Sequence, residues 1–477
     1  MPNVDSGVRV ALGMAAALAL AATAGCGASA AGGGQHRAPG AAAPARPPAA
    51  ARPPRQVPGE LAFVAHGKLY VLGGPARGPR HVALPGIPAA PAWSADSRWL
   101  AVSVSNPPPA GQPYPYRQAP ARLWLVSAAG TVVRPLTPAS WQVDGFAWAP
   151  HADELAVAAY LPRAPQASSA LAATVTPAGK PRILLAGGWL TGPAWSPDGT
   201  RIAAGIGTFA GGHWHGELDV LGAGGGPPAV VTSAAQDVLE LAGWWPDGDG
   251  LLYWRDLGGS ASLAADGLPL DSVPLGGHPP RTLVRTMLAH GSWLAPSPLG
   301  NAFAAVVGGD RVIWSGGKRL VVCSAAGGCS PVAQPAGVVS VDPSWSPDGT
   351  RIAFARLSAA GPFGPNGRAG FSADWITRWE ATSRLWIAGA GGSGARPLAG
   401  AGPGAVDPVW GSDGSLLFVR DDSLWLLSAG ASAAQRLTGP LGALGGAASY
   451  GTYYGYVPYP QLFAWALAPR PATAARA

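Results

Sequence analysis

Residues able to do chemistry are few in this chain, and they rarely gather. The densest group is His213-Trp214-His215, with Glu217 and Asp219 close behind. Alternate residues of a strand share a side, so the two histidines would present together. Two imidazoles without a defined third ligand make a poor metal site, and surface strand residues are expected instead. Four carboxylates, Asp198, Asp247, Asp348 and Asp413, recur within one short phrase. Each sits at its own turn, so they do not converge on one ion, and Asp commonly bonds its own turn backbone. Neither the GxSxG of a nucleophile elbow nor the HExxH of a zinc hydrolase occurs. Gly-rich runs such as GAGGGP at Gly222 have no following helix to hold phosphate. No catalytic residue, metal or cofactor is therefore expected.

The elements that would carry these residues are set by the same phrase. It reads PAWSADSRWLAVS at Pro91, FAWAPHADELAVA at Phe146, PAWSPDGTRIAAG at Pro193 and AGWWPDGDGLLYW at Ala242. Further copies are LAPSPLGNAFAAV at Leu294, PSWSPDGTRIAFA at Pro343 and PVWGSDGSLLFVR at Pro408. Six copies carry a tryptophan, at 93, 148, 195, 244, 345 and 410, and Pro296 takes its place in the fifth. The mean spacing of about 53 residues lies in the range of propellers and other repeat folds. Each copy gives a strand ending in Trp, a Ser-Pro-Asp-Gly turn and a second strand. A third strand follows, as in RLWLVSAAG at Arg122 or RLWIAGAGG at Arg384, and then a fourth, as in AQRLT ending at Thr438. Four short antiparallel strands make one propeller blade. The repeated Trp, Pro, Asp and Gly are thus assigned to architecture.

The ends of the repeat suggest how the ring closes. ELAFVAHGKLYVLGG and RHVALPG read as second, third and fourth strands without a first. Near the C-terminus Phe463-Ala464-Trp465 matches Phe146-Ala147-Trp148, and Trp465 falls 55 residues after Trp410. The expectation is an all-β chain, a β-propeller of eight blades with seven as the alternative. N- and C-terminal strands would share the closing blade, which removes a sheet edge.

Outside the repeat, residues 1–25 read as a signal peptide with an apolar run from Ala11, ending in Thr23-Ala24-Gly25-Cys26. This resembles a bacterial lipobox, which implies lipidation of Cys26. Residues 26–59 are an Ala/Pro/Gly-rich tether with no periodic apolar face, 60–470 the propeller, and 471–477 a disordered tail. The remaining cysteines, Cys323 and Cys329, flank a Gly-rich turn and suit a hairpin disulfide in an oxidising compartment.

The WSPDG-x-x-IAF phrase, the LWLV-like strand and the R-x-L-T ending resemble the TolB-type propeller repeat. With the lipobox they resemble the propeller part of actinobacterial LpqB-type lipoproteins. The likeness covers roughly residues 60–470. It implies the fold and leaves the role open, because propellers serve many roles.

Function is then sought in irregular loops on one face. The candidate residues are Tyr114, Tyr116 and Arg117 after Ser105, Trp214 after Gly207, and Phe371, Trp375 and Trp379 between Leu357 and Ser383. A further aromatic stretch is YGTYYGYVPYP at 450–460. Aromatic residues with Arg are enriched in binding hot spots; the other reading is that they fold down as a cap. The expected role is a non-enzymatic protein-binding or scaffolding module, held by its lipid on the outer leaflet of the bacterial cytoplasmic membrane. Its partner would be an envelope protein or cell-wall component, and nucleic acid is not expected. The alternative is an enzyme acting on a glycan or small molecule at the central channel. That would need carboxylates or histidines converging there, whereas the inner strands read mainly as Ala, Val, Gly and Trp.

Overall fold

In six of the eight blades the first strand ends in the repeated tryptophan, and its neighbours follow in chain order. A computed structural model describes residues 57–73, 78–106, 121–161, 170–315, 317–324, 328–360, 372–444 and 454–466. Cys26, the tether, the tail, Tyr114, Tyr116, Arg117 and Phe371 lie outside the described residues. Among the described residues there are eight four-stranded antiparallel sheets arranged as a ring, an eight-bladed propeller. Seven blades run through the chain as consecutive sets of four strands. In the eighth, Phe463–Ala466 pairs with Glu60–Ala65, placing Trp465 opposite Leu61 and Phe463 opposite itself in type at Phe63. No helix among the described residues is long and apolar enough to cross a membrane.

The tryptophan does more than fill space. The indole N–H of Trp148 donates to the Ala92 carbonyl (2.9 Å), and Ala92 precedes Trp93 in the previous blade. Trp195 donates likewise to Ala147 (3.0 Å), Trp244 to Ala194 (2.9 Å) and Trp345 to Ala295 (2.8 Å). Trp93 closes the ring by donating to Ala464 (3.1 Å). These five indoles thus stitch their blades to the ones before, whereas Trp465 donates to the Pro58 carbonyl and the buried Trp410 indole N–H has no partner among the described residues. Arg201 and Arg351, six residues after their own tryptophans, stack on the next blade's Trp244 and Trp410, both at 4.9 Å.

The repeated aspartate is equally architectural. Asp198 Oδ1 accepts from the Ser196 hydroxyl (2.5 Å) and the Thr200 N–H (3.0 Å), and Oδ2 from the Thr200 hydroxyl (2.9 Å). Those donors hold its carboxyl down at about 2. Asp348 makes the equivalent bonds to Ser346 and Thr350 and is also held at about 2. In the fifth blade Cys323 and Cys329 face each other across neighbouring strands with their sulfurs bonded at 2.02 Å.

Antiparallel order assigns the loops to faces. The turns after the tryptophans and those joining third and fourth strands lie on one face, here the turn face. Loops joining second and third strands, and those between blades, lie on the other, the loop face.

Candidate functional site

Two constructions stand on the loop face. The first grows from an extended hairpin in the third blade. Arg201–Ala210 and His213–Gly222 are ten residues each, against five to seven in most second and third strands. The segment expected as an irregular loop is therefore paired strand out to Ala210 opposite His213. Gly211 and Gly212 both have positive φ (60° and 89°), which a two-residue hairpin turn of this twist requires. At its tip Trp214 packs edge-on to Phe209 (5.4 Å) and against Trp189 (6.2 Å). A turn of the fourth blade leans on the same indole: a Cβ at Gly259 would sit 2.2 Å from Trp214 Cδ1. Around this half-buried tryptophan, Phe209 is 45% exposed, and Leu257 and Leu263 of the fourth blade are 43% and 46% exposed. His213 and His215 are exposed beside it. Clustered exposed apolar side chains of this kind mark interaction surfaces.

The second construction covers the loop-face end of the ring. The segment expected as loop between Leu357 and Ser383 contains a helix, Ala373–Glu380, capped by the Ser372 hydroxyl accepting from the Trp375 N–H (3.3 Å). The spacing of Trp375, Ile376 and Trp379 with Ser372 ahead was the missed helical signal. Trp375 and Trp379 stack on one another (6.2 Å) and pack on Trp314 at 4.1 and 5.5 Å. Trp379 is buried and donates to the Ser358 carbonyl (2.7 Å), so it works as cap packing and offers little surface. Beneath them, the fully buried Lys318 holds the loop that carries Trp314. Its ammonium donates to the carbonyls of Gly309, Asp310 and Val312 and to the Ser315 hydroxyl, all within 2.9 Å.

From the second tyrosine stretch, residues 454–460 form a strap over the same end. Arg311 pairs with Asp266 (2.6 Å) and lies over the Tyr454 ring (5.4 Å). Tyr456 stacks on His290 (4.2 Å) and shares a hydrogen bond with Ser292 (2.7 Å), while the Tyr459 hydroxyl donates to Glu380 (3.2 Å).

Under strap and helix lies an acidic group that sequence reasoning missed. Asp342 and Asp407 occupy the same place on the first strands of the sixth and seventh blades, three residues before the tryptophan. Both have positive φ (56° and 48°) at an irregularity in the strand pairing, which re-aims the side chain. Aspartate tolerates that backbone, and a following proline makes the irregularity cheap to hold. Asp342 accepts from the Trp293 indole N–H (3.1 Å). Glu380, from the helix, joins them in lining a cavity of about 20 Å³. The expectation that inner strands supply no converging carboxylates is thus corrected. The overlooked signal was the Asp-Pro pair, VDPSW and VDPVW, in two consecutive copies.

Burial pushes Asp342 and Asp407 up, Asp407 further through the charges of Asp342 and Glu380, and carries Glu380 up to about 8. His290, buried beside them, is pushed down to about 4. At neutral pH Glu380 keeps its proton and can donate a hydrogen bond. Chemically, this is a compact set of proton donors and acceptors, closed by tyrosines, with room for about one water molecule.

No family model matches the chain, and no curated protein does. Solved structures do match. TolB from Acinetobacter baumannii is 15% identical over 74% of this chain and 66% of its own, at TM-score 0.34. A puromycin-hydrolyzing peptidase from Mycobacterium tuberculosis is 15% identical over 71% of this chain, at TM-score 0.41, and this chain spans about half (52%) of its length. An oligogalacturonate lyase from Vibrio parahaemolyticus is 12% identical over 60% of this chain and 79% of its own, at TM-score 0.40. At such identities the likeness concerns the fold alone.

Proposed function

We propose that the chain is an extracytoplasmic propeller, anchored through a lipid on Cys26, that binds an envelope protein or cell-wall component with its loop face. The observation that carries this reading is the aromatic ledge of Phe209, Trp214 and Trp189 with exposed Leu257 and Leu263 beside it. A monomer with no partner there would keep these side chains in water at a cost of roughly 25 cal/mol per Å² of apolar surface. The test is a triple variant, Phe209→Ser, Leu257→Ser and Leu263→Ser, compared with the unsubstituted ledge for retention by isolated cell envelopes, both proteins carrying Cys26→Ala so that no lipid holds them. Retention should fall at least about tenfold while the melting temperature stays put, since exposed substitutions cost little. Unchanged retention refutes the ledge as the contact. For the anchor, fatty-acid labelling should be lost in Cys26→Ala.

A second reading, a glycan or small-molecule enzyme, is favoured by one observation: Asp342, Asp407 and Glu380 converge, with Glu380 still protonated near neutrality. Buried carboxyls whose affinity for protons is raised together can serve acid–base chemistry. Against it stands the cavity of about 20 Å³, far below the roughly 300 Å³ of ordinary ligand pockets, so the tyrosine strap would have to lift first.

A further inference from the structure

At one junction the repeat lacks its indole altogether, and a groove opens there. In the fifth blade Pro296 replaces the tryptophan, so no indole reaches back to the fourth blade. Six residues after Trp244 stands Gly250, where Arg201 and Arg351 elsewhere cover the next tryptophan. The backbone acceptor of the missing indole would be Gly243, which precedes Trp244 as Ala194 precedes Trp195. A Cβ at Gly243 would meet nothing within 4 Å. Three positions of the repeat are thus trimmed together at a single junction. The result is a groove of about 560 Å³ on the turn face, lined by Gly243, Trp244, Trp245, Pro296, Leu299 and Phe303 among others. Leu299 on its rim is 58% exposed.

We infer that this groove seats a tryptophan side chain presented by a basic peptide segment of a partner protein. The shape is specified by the chain itself, since the same seat at five other junctions holds an indole donating to the equivalent carbonyl. Its walls are the aromatic and aliphatic surfaces that an indole packs against. No aromatic residue of the repeat itself fills it among the described residues. Residues 1–56 and 467–477 contain no Phe, Tyr or Trp. Charge selects the flanks. The turns that border the groove carry exposed Asp198, Asp247 and Asp249, and Arg201 among them is committed to Trp244 and to the Gly248 carbonyl (3.2 Å). Lysines on either side of the incoming tryptophan would find carboxylates.

The experiment titrates the full chain with the peptide acetyl-Lys-Trp-Lys-amide carrying 5-fluorotryptophan, followed by fluorine NMR up to about 1 mM peptide. Acetyl-Lys-Ala-Lys-amide, as competitor, and fluorinated N-acetyltryptophanamide are run beside it. Saturable binding of the first is expected, with the alanine peptide failing to displace it and the free amide at least about tenfold weaker. Pro296→Trp, which supplies the seat's own indole, should abolish binding and raise the melting temperature. Leu299→Lys, at an exposed rim position that leaves the fold intact, should weaken binding at least about tenfold. The proposal is overturned by no saturable binding, by equal affinity for the free amide, by displacement with the alanine peptide, or by binding unchanged in Leu299→Lys or in folded Pro296→Trp.

Discussion

At the scale of single residues the chain keeps its charges where they build structure and hides a few where they do not. Asp198 and Asp348 are hydrogen-bonded within their own turns and held at about 2, so they are ordinary parts of those turns. Glu380 is the opposite case, with burial carrying it up to about 8. Its unfolded form gives up the proton near 4.5, so its contribution to stability is full below that pH and is lost as pH rises towards 8. His290, pushed down to about 4, acts the other way and has given its full contribution once pH passes about 6.5. Between pH 6.5 and 8, therefore, the melting temperature should fall, and it should fall less steeply in Glu380→Gln. Equal slopes would show that Glu380 titrates normally. The acidic group was hard to read because Asp-Pro ahead of a strand end looks like turn chemistry. Only the ring brings residues 342, 380 and 407 to one cavity.

Among the elements, the loop face divides into a ledge that faces water and a cap that faces inward. Both were sought among aromatic loops, and local patterning did not separate them. Trp214 sits on a hairpin whose two-glycine turn lets pairing run to the tip. Trp375 and Trp379 sit on a helix whose apolar side meets Trp314, a residue outside the segment and invisible to its periodicity. Lys318 ties this cap down from below through four hydrogen bonds. Removing it leaves buried carbonyls without a donor, each worth about 1–3 kcal/mol. Lys318→Met should thus raise amide hydrogen exchange across 309–315 and across the Ala373–Glu380 helix, while distant blades keep their protection. Protection unchanged at both places would mean that the lysine is not what holds the cap.

For the whole molecule, the repeat made the architecture legible, down to the eighth blade shared by both ends. The phase of Trp465 was enough for that, because a blade is a local unit and its period survives in sequence. Closure then has a measurable weight. Phe463 is buried on the closing strand opposite Phe63, so Phe463→Ala should cost about 3–5 kcal/mol in urea unfolding. Trp148→Phe, which loses an inter-blade hydrogen bond and part of an indole, should cost less, about 1–3 kcal/mol. Equal costs for the two would argue against a ring whose ends are its critical seam. What the repeat could not convey is which face works, since every copy carries both.

That question is answered most directly by site-specific photo-crosslinking in the native envelope. The photoreactive residue is placed at Phe209 or Leu257 on the ledge, and at Val230 on an exposed outer strand as control. The account predicts a discrete crosslinked species from the two ledge positions and none from Val230. No product from the ledge, or the same products from all three positions, would contradict it.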